Sequence, residues 1–162
     1  MALVLIRIDD RLIHGQVTVG WGRALQPDRI LLVNDIVAMN PPQKNLYEAA
    51  VPPGIAVSIL TIDEAAKAVK GGIFDQEETL LIVESPDDAL ALQERGVEIQ
   101  SINIGGLHYT AGKKGLLPYV YVSEQDVVAL RAIMAKGIEL ECRDVPSAKR
   151  VDLRCLLSGR ME

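Results

Sequence analysis

The stretch Arg7-Ile8-Asp9-Asp10-Arg11-Leu12-Ile13-His14-Gly15-Gln16-Val17 gathers two arginines, two aspartates and one of the chain's two histidines. That set suits nucleophilic work by an imidazole, because a neutral ring keeps one bare nitrogen near pH 7. A carboxylate from Asp9 or Asp10 can hold the other nitrogen and so select the one that attacks; a backbone carbonyl can do the same. Arg11 lies three residues before His14 and offers a guanidinium fork for the equatorial oxygens of a phosphoryl group. Transfer of such a group is catalysed chiefly by positioning and charge stabilisation. Lys113, with Lys114, adds mobile positive charge from another loop.

Each of these residues also has a plainer reading. Arg7 and Asp9 point to the same strand face and can form a local ion pair. Asp10 fits a turn residue or a helix cap. A loop histidine is often a hydrogen-bonded surface residue, and Lys113-Lys114 fits a solvated turn. His108 has no neighbours in sequence that complete a triad or a metal set. Trp21 falls on the apolar face of a helix and reads as core. Gly20-Trp21-Gly22 lacks the third glycine of a dinucleotide loop and comes a helical turn too late, which excludes that site.

The elements that must hold this stretch follow from hydrophobic spacing. Residues 3–8 are nearly all aliphatic, as in a strand covered on both faces, and Asp9-Asp10 ends them. Val17, Trp21, Ala24 and Leu25 make an inward stripe for a helix over 16–25, which Gly20 and Gly22 weaken by roughly 1 kcal/mol each. His14 therefore sits between a first strand and a helix, where free backbone N–H groups favour anions. Gly15 lets those groups come close. Further strands are expected over 29–33, 56–60, 79–83, 101–104, 119–122 and 139–143. The intervening helices are expected over 42–51, 62–69 with a Thr61/Glu64 capping box, 86–95 behind Ser85, and 124–136 behind Ser123. Residues 34–42 read as loop because of Asn40-Pro41-Pro42. Residues 107–115 read as a functional loop. A short helix over an edge fits 151–157.

Strand and helix alternate throughout, so the expected class is α/β with an open, mainly parallel sheet, helices on both faces and right-handed crossovers. Loops that follow strands then share one sheet edge, so His14, Asp35, Thr61, Ser85 and the 105–114 loop are expected to converge there. Strand order stays open.

The chain has 162 residues, 49% of them hydrophobic, which suits one domain with one core. A formal net charge of -5 argues against a general nucleic-acid binder. Cys142 and Cys155 form no metal-ligand pattern and read as reduced structural thiols. Neither a secretory leader nor a run of membrane-spanning length is evident, so a cytoplasmic protein is expected, with any membrane role supplied by a partner.

The first stretch closely resembles the signature of the IIB components of the mannose, fructose and sorbose family of bacterial sugar phosphotransferase systems. Pro52-Pro53-Gly54, then Ser101-Ile-Asn-Ile-Gly-Gly-Leu-His108 with Gly112-Lys113-Lys114, then Lys136-Gly-Ile-Glu-Leu with Val145-Pro146, are similar to that family in the same order. The resemblance implies a single phosphocarrier domain over 1–162 with a sheet of about seven strands. It implies that His14 is phosphorylated on Nδ1 by a phosphorylated IIA component, beside Arg11. The group then passes to a sugar entering through membrane IIC and IID components, which the carrier joins peripherally. Asp9, Asp10, Gly15 and Lys113 are expected to support the site, and such a transfer needs neither metal nor cofactor. The family's second-strand loop usually carries a further acidic residue with a basic one behind it; here Asn34-Asp35 is followed by Met39-Asn40-Pro41-Pro42. That departure motivates an alternative, a regulatory or interaction module that keeps the His14 chemistry without sugar transport. A third reading, His14 as general base of a hydrolase, lacks an evident nucleophile.

Overall fold

The computed structural model describes residues 2–158. Its aliphatic runs become inner strands because they bury side chains on both faces. These are β1 (Ala2–Asp9), β2 (Arg29–Val33), β3 (Ala56–Leu60), β4 (Glu78–Val83) and β5 (Ser101–Gly106). Two short strands, β6 (Lys114–Leu117) and β7 (Val120–Val122), precede β8 (Glu139–Cys142) and β9 (Val151–Asp152). The main sheet has seven strands in the order β3-β2-β4-β1-β5-β8-β9, parallel except for the β8/β9 pair. This is the expected fold class.

Helices cover both faces. After His14 the chain makes a π-helical segment, Gln16–Trp21, that runs into a single turn, α1 (Gly22–Leu25). With α2 (Asp35–Ala38) and α3 (Pro41–Ala49) it covers one face, where Val17, Trp21 and Val37 pack with Ile30, Leu32, Leu80 and Ile82. The other face carries α4 (Ile62–Lys70), α5 (Pro86–Glu94), α6 (Glu124–Ala135) and α7 (Leu153–Ser158). There Leu31, Val33, Leu81 and Val83, alternating with the first set, meet Ala65, Leu92, Leu130 and Leu153.

Several expected elements differ. Asn34 turns the start of the 34–42 loop into α2, because its side chain accepts the Ile36 and Val37 N–H groups. The strand expected over 119–122 is outside the main sheet: as β7 it pairs antiparallel with β6, which takes the end of the expected 107–115 loop. Its alternating apolar pattern is satisfied equally by a hairpin that lays Val120 and Val122 on the core. The seventh sheet strand is instead β9, drawn from the tail, before α7 covers the edge; residues 159–162 lie outside the described part. Capping boxes form at Thr61/Glu64 and at Ser123/Asp126, and Ser85 caps α5.

The chain moves from β1 leftward to β2 over one face, whereas β5 leads rightward to β8 over the other. β1 and β5 are neighbours, so their ends open a crevice at the topological switch point of the sheet.

Leu81 is fully buried in β4, between β1 and β2. Leu81→Ala is expected to cost roughly 3 kcal/mol through the cavity it leaves, seen as a lower urea midpoint with an unchanged slope.

Candidate functional site

At the end of β1 one buried carboxylate gathers the surrounding charge. Asp9 has no exposed side-chain surface, and Oδ2 accepts from Nε2 of His14 at 2.8 Å and from Nη2 of Arg7 at 3.1 Å. Its Oδ1 accepts the backbone N–H of Arg11 at 3.0 Å and the Nε of Arg11 at 3.3 Å. Burial alone pushes this carboxyl up. The hydrogen bond from His14, the charges of Arg7 and His14 and the Arg11 N–H outweigh it and hold Asp9 at about 2.

The backbone decides the histidine's tautomer. The N–H of Gln16 donates to Nδ1 of His14 at 3.2 Å, so Nδ1 carries a lone pair and the ring proton sits on Nε2, facing Asp9. Nδ1 is therefore the unprotonated nitrogen of the ring. The loop that achieves this turns sharply at Leu12, whose φ of 63° is the left-handed region. That conformation costs an L-residue roughly 1 kcal/mol, which burial of the Leu12 and Ile13 side chains offsets. Gly15 adopts ordinary helical φ (-54°), and a Cβ there would meet no protein atom, so it leaves open space beside His14 rather than resolving a clash.

Arg7 lies beneath this loop and is fully buried. It donates to Asn103 Oδ1 at 2.7 Å and to the carbonyls of Arg143 and Asp144, besides Asp9. In register, Arg7 pairs with Asn103 and Asn103 with Glu141, so a polar row crosses β1, β5 and β8 on one face. Asn103 donates to Glu141, which Arg143 also binds. The indole of Trp21 faces the guanidiniums of both Arg7 (5.2 Å) and Arg143 (5.0 Å), and its N–H donates to the Asp144 carbonyl. Trp21 is core, as expected, but a core built around charge. Gly105 makes room for it: a Cβ there would stand 1.9 Å from Arg7 Cζ.

The other expected residues separate. Arg11 is partly exposed and bonds Asp9 and Gln16 Oε1, which leaves it beside the ring. Asp10 does not orient His14; it accepts both the backbone N–H and the Nδ1 of His108, at the end of β5. Neighbouring residues of a strand end point to opposite sides, so only Asp9 faces the ring. Lys113 lies 3.8 Å from Asp126 and reaches the His108 carbonyl, bracing its loop. Asp35 accepts the Ile62 N–H at the start of α4, and Thr61 and Ser85 are caps, so these three serve helix ends. Gln16, Asn103 and Gly105 lie within the family-like motifs, but sequence reasoning assigns them no role in the site; the one local signal is Asn103 as a lone polar residue between Ile102 and Ile104. Cys142 is buried and Cys155 exposed, both as free thiols. Burial pushes the Cys142 thiol up to about 12.

Fold and site together define an open α/β domain that presents a carboxylate-oriented histidine at its switch point. Residues 3–161 match the family described as the PTS system sorbose subfamily IIB component. The PTS system fructose-specific EIIB component of Bacillus subtilis is 35% identical over 147 residues, covering 91% of this chain and 90% of the relative. The PTS system mannose-specific EIIAB component of Escherichia coli is 36% identical over 156 residues, 94% of this chain but 48% of that longer one. The crystal structure of the IIBSor domain of the sorbose permease from Klebsiella pneumoniae superposes with a TM-score of 0.92 at 33% identity, covering 98% of each chain. The chain belongs to the sorbose subfamily of IIB components of the sugar phosphotransferase system.

Two outcomes follow from the Asp9 cluster. Gly105→Ala is expected to lower stability by about 3 kcal/mol in urea unfolding, because the clash displaces a buried guanidinium whose two Nη atoms bond Asp9, Asn103 and the carbonyls of Arg143 and Asp144. Asp9 is held well below its unfolded value near 4, so its contribution is fully present above about pH 4 and is lost as pH falls towards about 2. Unfolding between pH 5 and about 2 is expected to show an acid arm on the order of 2 kcal/mol that Asp9→Asn lacks.

Proposed function

We propose that this protein is a phosphohistidine carrier: Nδ1 of His14 accepts a phosphoryl group from a phosphorylated IIA component. It then passes the group to a sugar during uptake through membrane IIC and IID components. The observation that carries the reading is the tautomer, with Nδ1 unprotonated and accepting the Gln16 N–H, and Nε2 donating its proton to Asp9. The EIIAB and sugar-specific names of the relatives support the donor and the acceptor class.

In the accepting step, the Nδ1 lone pair attacks phosphorus in line with the donor's leaving nitrogen. The ring becomes cationic as the N–P bond forms, and the buried Asp9 carboxylate, pinned by Arg7, compensates that charge without moving. Arg11 needs only to exchange Gln16 Oε1 for a phosphoryl oxygen, and the Gln16 N–H can follow the group placed on Nδ1. Asp9 also keeps Nε2 occupied, which restricts the bond to Nδ1. Among the described residues no helix is long and apolar enough to cross a membrane. The carrier is proposed to meet its transporter peripherally, from the cytoplasmic side.

With a phosphorylated IIA component as donor, the wild-type chain is expected to gain one acid-labile phosphate that maps to Nδ1 of His14, and His14→Ala none. Arg11→Gln is expected to accept it about a hundredfold more slowly. Equal labelling of wild type and His14→Ala would remove the proposal.

A further inference from the structure

Gln16 makes two contacts that only the uncharged site can hold. Its backbone N–H donates to Nδ1 of His14 at 3.2 Å, and its side-chain Oε1 accepts from Nη2 of Arg11 at 2.5 Å. One residue therefore occupies both the lone pair that takes a phosphoryl group and the guanidinium that holds its oxygens.

The two contacts end differently on charging. An unprotonated imidazole nitrogen has a single lone pair, so phosphorus bonded to Nδ1 takes the place at which the Gln16 N–H points. Bonded phosphorus stands well inside the 3.2 Å at which the Gln16 nitrogen sits, so that nitrogen withdraws and its N–H exchanges Nδ1 for a phosphoryl oxygen. Gln16 is the first residue of the π-helical segment, where no helical carbonyl holds its N–H, so the withdrawal breaks no internal ladder. The side chain has no such exchange. An amide oxygen and a phosphoryl oxygen are both acceptors, and they compete for Arg11.

Arg11 stays beside the ring in either state, because its backbone N–H, Nε and Nη2 also bond Asp9. The released Gln16 amide has room to turn into a cavity of about 130 Å³ that it lines together with Arg11, Tyr119 and Tyr121. There it meets water in place of a guanidinium, and a neutral hydrogen bond is roughly half as strong as a charge-assisted one.

We propose that Gln16 is a positioning residue that sets how readily His14 gives up its phosphoryl group, by competing with that group for Arg11. The inference rests on the reading of His14 as phosphocarrier. In the reversible charging step the Nδ1 lone pair forms a bond to phosphorus while the donor's N–P bond breaks; that electron pair stays on the donor nitrogen, and Nε2 of His14 keeps its proton. The Arg11–Gln16 hydrogen bond belongs to the uncharged side of this equilibrium alone. It therefore opposes charging and favours discharge by the same factor, about tenfold for a hydrogen bond to a charged group.

The test is an equilibrium. The full-length chain is mixed with an IIA component and its phosphorylated form in fixed ratio, and the fraction of His14 that is charged is read by ³¹P NMR, approached from both directions. Gln16→Ala keeps the backbone N–H and removes the competing acceptor, so it is expected to raise the equilibrium constant for charging about tenfold. Gln16→Glu keeps the side-chain length, binds Arg11 as an ion pair and sets a like charge beside the phosphoryl group, so it is expected to lower that constant about tenfold. A merely structural role would move both variants the same way. Gln16→Ala charged to the wild-type level or below, or Gln16→Glu charged to the wild-type level or above, would overturn the proposal. Wild type that takes up no phosphate on His14 would instead overturn the phosphocarrier reading.

Discussion

The buried Asp9 carboxylate is the interaction on which the rest of the structure depends. A fully buried anion is costly unless every lone pair is met and an opposite charge is close. Here the protein supplies Arg7 from the same strand, the Arg11 backbone and side chain from the turn, and the ring of His14. The loop conformation follows from this demand. Leu12 accepts a left-handed backbone because the turn must bring Arg11 and His14 back over the carboxylate. The His14 ring is therefore positioned by the buried carboxylate itself.

Arg7 extends the demand into the sheet. Its guanidinium is itself buried, which lowers its hold on the proton while Asp9 opposes that loss. It needs acceptors on several sides, and it finds them in Asn103 on β5 and in the chain turning out of β8. Gly105 and Trp21 complete its surroundings, one by having no side chain and the other by an indole face. Three neighbouring strands are thus committed to one polar row at the crevice. An apolar row of the same volume would pack as well or better, but it would leave Asp9, and hence His14, without a fixed partner.

Much of the architecture was legible in order of appearance. Continuous aliphatic runs marked the inner strands because burial on both faces leaves no room for polar alternation. Caps at Thr61, Ser85 and Ser123 marked helix starts through a local hydrogen bond that neighbouring residues make by themselves. Legibility failed where the partner was distant. Residues 119–122 have the pattern of a sheet strand, and nothing local says that they pair with β6; nor does the two-residue β9 carry a period long enough to read.

At the site the division is the same. Sequence alone determined that an aliphatic strand ends in paired aspartates, an arginine and a histidine at a helix entrance, and that this set suits phosphoryl chemistry. Tertiary structure decided the assignments. Only the β1–β5 register places His108 opposite Asp10 and leaves Asp9 for His14, and only the turn at Leu12 sets the Gln16 N–H on Nδ1. The reason is physical: a side chain's type is local, but which carboxylate meets which ring nitrogen depends on strand order and on a backbone reversal that brings separated atoms within 3 Å or so.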